Sequence, residues 1–235
     1  MCYFGIYIED SARVSNINLN NILVNTRDTY GGSVQFIYAD SADIYNINAN
    51  NCTFINDINC VFSFTAGCTV NTIMANNIIY KSIKTGNNPG NFLTTYSNLE
   101  HLFISNSIFS GLQDFIAWKD TNIYNTTESI KLSNLDLTFQ DSTGSLITFY
   151  ESDTTLLLET KNLTINTTLD STLHLNHKDI RIRSWDFPFD GTKVNFTPLE
   201  NDYILHDGTG TLTKGPTWFD GDSLRSLIDD TVIDK

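Results

Sequence analysis

Positive charge is the first thing this chain has little of: 235 residues carry 14 Lys and Arg against 27 Asp and Glu, a net charge of −13. Gripping nucleic acid requires a basic face that neutralises phosphates, so that class of partner is excluded. Apolar runs approaching the roughly 18 residues of a membrane span are missing too. The opening stretch MCYFGIYIEDSARVS has no basic leader and meets acids at Glu9 and Asp10, so it does not read as a signal peptide. Cysteine is sparse, and Cys2, Cys52, Cys60 and Cys68 show neither CxxC nor paired-histidine spacing, which argues against zinc. No DxDxDG-type loop or glycine–aspartate nonapeptide repeat points to calcium. The acids therefore read as scattered surface charge, and neither a metal nor a cofactor is expected.

Asparagine, by contrast, is heavily over-used, with 27 residues. One of them keeps returning, in NINLNNILV, NINANNCTF, TIMANNIIY, HLFISNSIF, IKLSNLDL and LLETKNLTI. With Asn21, Asn51, Asn77, Asn106, Asn134 and Asn162 as equivalents, the steps are 30, 26, 29, 28 and 28 residues. A fixed period of this size marks a solenoid, in which one repeat cannot bury its apolar face alone. Apolar residues recur four before the asparagine (Ile17, Ile47, Ile73, Leu102, Ile130, Leu158). They recur again three after it (Val24, Phe54, Tyr80, Phe109, Leu137, Ile165). Each flank alternates with a period of two, as a strand does. The alternation skips a beat at the asparagine, because positions two before and one after it both read as inward. Two short strands joined by a bend are predicted in every repeat. Asparagine suits the bend, since it tolerates left-handed backbone angles and hydrogen-bonds locally. Its amides can also pair along the column, each buried group finding a partner.

This arrangement resembles the asparagine ladder of right-handed parallel β-helix proteins, as in the pectate lyase-like superfamily. The resemblance covers about residues 15–185 and implies an all-β, right-handed parallel β-helix of six to seven coils. A third strand per coil is predicted in SVQFIY, VFSF, NFLTTY, DFIAW, SLITFY and TLHL. Phe4, Ile6 and Ile8 alternate like a strand too early for a complete coil, so the helix is expected to begin mid-coil, as a fragment of a longer chain or a matured product would. Residues 1–185 are assigned to the helix and 186–235 to a C-terminal cap or assembly segment. That segment holds Pro188, Pro198 and Pro216, a hairpin-like HDGTGTLTKG and a short amphipathic, helix-like DSLRSLIDD. It would cover open strand edges, or dock on the first coil of a neighbour and build a head-to-tail homopolymer.

Chemistry is carried mainly by glycosylation sequons at Asn51, Asn125, Asn162, Asn166 and Asn195. Asn125 and Asn166 fall in loops and Asn195 outside the helix, so these rank above Asn51 and Asn162, whose amides are expected to turn into the bend. Cys52 reads as a small buried thiol, while Cys60 and Cys68 flank a strand and loop where a disulfide would fit an oxidising compartment. Phe54, Tyr80 and Phe109 read as stacked core rather than a ligand platform. Tyr38, Tyr96, Trp118 and Tyr150 could line a sugar-contacting face.

Many β-helix proteins of similar architecture cleave acidic polysaccharides, so an enzyme must be weighed. Glycoside hydrolysis needs two carboxyls about 5–5.5 Å or about 6.5–9.5 Å apart. Stacked coils, about 4.8 Å apart, make such pairs easy. Asp114, Asp120, Asp136, Asp141, Glu151 and Asp153 are the candidates. Yet the pectinase-like Asn-Thr-Asp, Asp-Asp and Gly-His-Gly signatures are missing from the coils, and Arg13, Arg27, Arg181 and Arg183 stand only at the first and last. The histidines, His101, His174, His177 and His206, are scattered. A negative surface would also repel a polyanionic substrate. No catalytic residue is assigned. The favoured reading is an extracellular, glycosylated structural subunit of a surface fibre or adhesin-like assembly, carrying N-linked glycans. The GGS before a strand and the NNCTFIN-type turn are similar to β-helix repeats of large secreted surface proteins. The alternative is a polysaccharide-binding or polysaccharide-degrading protein.

Overall fold

The computed structural model describes residues 2–26, 33–56, 58–83, 90–118, 127–140, 143–148 and 155–167. It also describes the strand segments 173–175, 179–184, 194–196, 217–219, 224–226 and 232–234. Nothing among these residues is helical. The chain instead lays down strands in two parallel sheets. The first contains β1 (Cys2–Ile8), β4 (Ser33–Ala39), β6 (Cys60–Phe64), β8 (Asn91–Thr95), β10 (Asp114–Trp118), β12 (Ser145–Thr148), β14 (Leu173–Leu175) and β16 (Val194–Phe196), stacked in that order. The second runs from β2 (Arg13–Asn20), with β3 (Leu23–Thr26) beside it, through β5 (Asp43–Asn56), β7 (Thr69–Ser82), β9 (Asn98–Leu112), β11 (Ser129–Phe139) and β13 (Thr155–Ile165) to β15 (Asp179–Ser184). Each coil gives one strand to each sheet, so the chain is a parallel β-helix. About four turns of roughly 28 residues, β5 to β12, enclose the closed core. The neighbouring strands extend both sheets, to seven rungs in the second and eight in the first.

The two flanks of the recurring asparagine are one strand in later coils, not two. Only the first coil breaks there, between β2 and β3. The bend survives inside the continuous strand, because all six ladder asparagines are left-handed, with φ between 51° and 56°. Around the bend, pairing skips the asparagine and resumes at once: Asn50 faces Asn76 and Cys52 faces Ile78, while Asn51 and Asn77 are passed over. The skipped beat turns the residues on both sides inward. Ile47, Ile73, Leu102, Ile130 and Leu158 are fully buried, as are Phe54, Tyr80, Phe109 and Leu137. At about 1.5–3 kcal/mol for each large apolar side chain, these columns dominate the stability of the stack.

The register skips at two further columns, so each coil has three corners. In the first sheet it passes over Phe36, Val61, Phe92, Phe115 and Leu146. Two consecutive residues are then buried on one strand, as at Val61–Phe62, Phe92–Leu93, Phe115–Ile116 and Leu146–Ile147. Phe92, Phe109 and Phe115 interlock across the core with ring centroids 4.7–5.7 Å apart, in edge-to-face and stacked arrangements that aromatic quadrupoles favour. The remaining corner lies at Ser15, Tyr45, Asn71 and Glu100.

The expected boundary at 185/186 lies outside the described residues. Beyond it, β16 still pairs in parallel with β14, so the first sheet continues into the segment assigned to the cap. There β17 (Thr217–Phe219), β18 (Leu224–Ser226) and β19 (Val232–Asp234) form a small antiparallel sheet. Its first strand lies beside β15. The helix-like reading of DSLRSLIDD is therefore corrected: Leu224–Ser226 is a strand, where pairing on both sides outweighs local helical spacing. The hairpin-like 206–215 lies outside the described residues.

The disulfide between Cys60 and Cys68 is also corrected. Cys52, Cys60 and Cys68 are buried, and no disulfide joins them. Cys60 opens β6 and Cys68 follows its far end, and a five-residue strand holds its ends roughly 13 Å apart, beyond the roughly 7 Å that a bridge spans. The Cys60 thiol donates instead to the Phe62 carbonyl at 2.8 Å. Cys52 sits in its inward column as expected, against the Asn50 carbonyl at 3.3 Å.

Candidate functional site

The outer face of the bent-strand sheet carries the chemistry the sequence singled out. The ladder asparagines stand on it exposed, not buried in the bend. The left-handed kink that points both the second residue before and the first residue after the asparagine inward sends its own side chain out. The amides still pair from rung to rung. Asn77 donates to Asn51 at 2.7 Å, Asn134 to Asn106 at 2.8 Å and Asn162 to Asn134 at 2.7 Å. Between the third and fourth rungs the column slips sideways: Asn106 donates to Asn76 at 2.8 Å, and Ser105 donates to the same oxygen at 3.0 Å. A second pair of amide rows, unforeseen in sequence, links Asn46 to Asn16 at 3.0 Å and Asn48 to Asn18 at 3.1 Å.

This geometry changes the standing of the sequons. Asn51, Asn162 and Asn166 are all exposed, so the ladder asparagines are as accessible as the loop one. The bonds run one way, each Nδ2 donating toward the N-terminal rung. Asn51 accepts at its Oδ1, whereas the Nδ2 of Asn162 is already engaged. Asn166 donates its Nδ2 to Asp136 and to Thr138 at 3.3 Å. Asn125 lies outside the described residues, although Thr127 of its sequon is buried. Asn195 is on β16, and its side chain is not described.

The two described candidate carboxylates, Asp114 and Asp136, stand on different sheets. Asp114 is on the first sheet, where its carboxylate accepts the Ser145 amide at 3.1 Å, a rung-to-rung structural bond. Asp136 is exposed on the second sheet and bonded by Asn166. Asp120, Asp141, Glu151 and Asp153 lie outside the described residues. Of the histidines, His101 stands on the outer face, 3.1 Å from Ser129 and stacked beside Phe103. His174 is on β14 with no described side chain, and His177 and His206 lie outside the description, as does Arg27. Arg181 and Arg183 are on β15, their side chains likewise not described. Tyr38 is half-buried against Tyr7, at 5.5 Å between rings, and Tyr96 is exposed. The Trp118 side chain is not described, and Tyr150 lies outside the described residues. Phe54, Tyr80 and Phe109 are core as expected, and the Tyr80 hydroxyl donates to the Ile58 carbonyl at 3.1 Å.

What the structure does assemble is a groove of about 540 Å³ at the third corner, open to solvent. Its walls come from four successive rungs. Arg13 on the first pairs with Asp43 on the second at 3.5 Å, and Asn71 on the third hydrogen-bonds Glu100 on the fourth. Tyr45 projects between them, 66% exposed. Glu100 and the aromatic ring were missed because the corner positions share no residue type down the column. Their common offset, six before each ladder asparagine, was the available signal. Among the described residues, no group of three or more His, Cys, Asp and Glu could hold a metal ion. No protein-family model, curated protein or solved structure matches the chain, so the likeness to pectate lyase-like proteins rests on architecture alone.

Proposed function

We propose that this chain is a structural element of an extracellular surface fibre or adhesin-like assembly, glycosylated on its lateral face and joined to its neighbours end to end. The observation that supports the reading is the state of the first coil. Ile6, Val14, Ile17, Ile22 and Val24 are only half-buried, whereas their equivalents one rung on, Ile37, Ile44, Ile47, Cys52 and Phe54, are fully covered. The strands β1, β2 and β3 stand at the ends of their sheets. An apolar coil face bordered by strand edges is a template for another coil, whether from the same chain or from a neighbour. Contact between the two different ends of one chain does not close on itself and yields a filament. Glycans on the exposed sequons would keep lateral surfaces from pairing.

The test is electron microscopy of the protein secreted from a eukaryotic host, with intact mass before and after glycosidase treatment. Glycosylated filaments with a regular axial repeat are expected. Ile17→Lys, which places a charge in the half-open end, should leave soluble monomers with an unchanged β spectrum. Unglycosylated monomers that turn over a polysaccharide would sink the proposal.

A further inference from the structure

We infer that the groove at the third corner is a binding site for an uncharged oligosaccharide. The inference is independent of end-to-end assembly and rests on shape, aromatic exposure and charge. Four consecutive rungs at about 4.8 Å give the groove a floor roughly 14 Å long, the scale of a short saccharide chain lying along the helix axis. Its volume, about 540 Å³, falls within the range of small-ligand sites. Val14 and Ile44 lie at its base.

Tyr45 is the anchor. A ring 66% exposed on a rigid strand keeps a large apolar face in water, which the C–H face of a sugar ring can cover at small entropic cost, since Tyr has few rotatable bonds. Around it stand planar polar groups suited to neighbouring hydroxyls: the Arg13 guanidinium, the Asp43 and Glu100 carboxylates and the Asn71 amide. Arg13 faces Asp43 at 3.5 Å as an exposed pair, and Asn71 hydrogen-bonds Glu100, so the Glu100 carboxylate is oriented before a ligand arrives. Two carboxylates against one guanidinium leave the groove negative, within a chain of net charge −13. Phosphate, sulfate and uronate ligands are repelled by that field. Hydroxyls both donate and accept, and so satisfy either sign of wall.

The test is calorimetric titration of the full chain with cellotetraose, alongside the tetramer of galacturonic acid and a tetralysine peptide of opposite charges. Saturable binding of cellotetraose is expected, with no response to the galacturonate tetramer. Tyr45→Ala should weaken the binding at least about tenfold, the order of loss expected for an aromatic contact. Asn166→Ala, on the far side of the ladder, should not. The circular dichroism of Tyr45→Ala should stay that of the parent, because the ring is not part of the core. Absence of saturable binding by cellotetraose at millimolar concentration would overturn the inference. So would equal affinity in Tyr45→Ala, or binding of tetralysine alone.

Discussion

A residue held at φ near 53°, as Asn134 is, stands where most side chains crowd their own backbone. Asparagine and glycine accept that region, and asparagine adds a bond to the next rung. Replacing Asn134 with Ala should lower the unfolding free energy by about 1–2 kcal/mol, from left-handed strain and the loss of two amide bonds in solvent. Glycine at 134 should cost less than alanine, so denaturant titration is expected to rank Asn above Gly above Ala. Equal midpoints would remove the bend from the account. A second single-residue prediction comes from Thr160, whose hydroxyl is fully buried with no hydrogen-bond partner among the described residues, in an otherwise apolar column. Thr160→Val keeps the shape and removes the stranded group, and should raise stability by about 1 kcal/mol, read as a higher melting temperature.

Between elements, the tightest packing lies where the chain re-enters the first sheet at Gly90. A β-carbon there would stand 1.8 Å from the Tyr80 hydroxyl and 3.0 Å from the Ile58 carbonyl. Gly90→Ala should therefore destabilise by about 1–3 kcal/mol through overpacking. Tyr80→Phe alone gives up the hydroxyl's bonds to the Ile58 carbonyl and to Ser82, at about 1–2 kcal/mol. In the double variant the clash with the hydroxyl is gone, so the losses should sum to less than the two single values, and a double-mutant cycle by urea unfolding measures the difference. Strictly additive losses would show that the ring oxygen is not what excludes a side chain at 90. The same corner logic explains what could be read before folding. The inward columns around each asparagine were legible because apolar residues recur there at a fixed offset. The corner through Tyr45 was not, because Ser15, Tyr45, Asn71 and Glu100 have nothing in common but position. Nor was the doubling of buried residues at Val61–Phe62 and its counterparts, since a run of adjacent apolar residues fits a corner, a buried strand or a helix equally well.

For the whole molecule, the buried core fixes an alkaline limit. Burial pushes the Tyr80 phenol far above its ordinary range, with nearby Cys60 acting in the same direction and the Ser82 hydrogen bond against it. Burial likewise raises the Cys68 thiol, against hydrogen bonds from its neighbours. An acid whose folded pKa exceeds its unfolded one contributes stability below the unfolded value and loses it as pH rises, because only the unfolded chain gives up the proton. Stability should hold through neutral pH and begin to fall above about pH 9. Above about pH 10 the slope should approach 1.4 kcal/mol per pH unit for Tyr80 alone. Tyr80→Phe should flatten that limb. A wild-type melting temperature that stays constant to pH 11 would contradict it.

By itself the sequence determined the coil: its period, its inward columns and its left-handed corner. Those follow from local sterics and a repeating burial pattern, which every rung states again. Tertiary structure decided what the repeats leave open. It set which way the ladder amides face, since a corner's outer side exists only once both flanks have turned in. It kept Cys60 and Cys68 apart by the length of the strand between them. It made a strand of Leu224–Ser226 through partners distant in the chain. And it brought Arg13, Tyr45, Asn71 and Glu100 to one groove, because stacking at about 4.8 Å makes neighbours of residues that lie 26 to 32 positions apart.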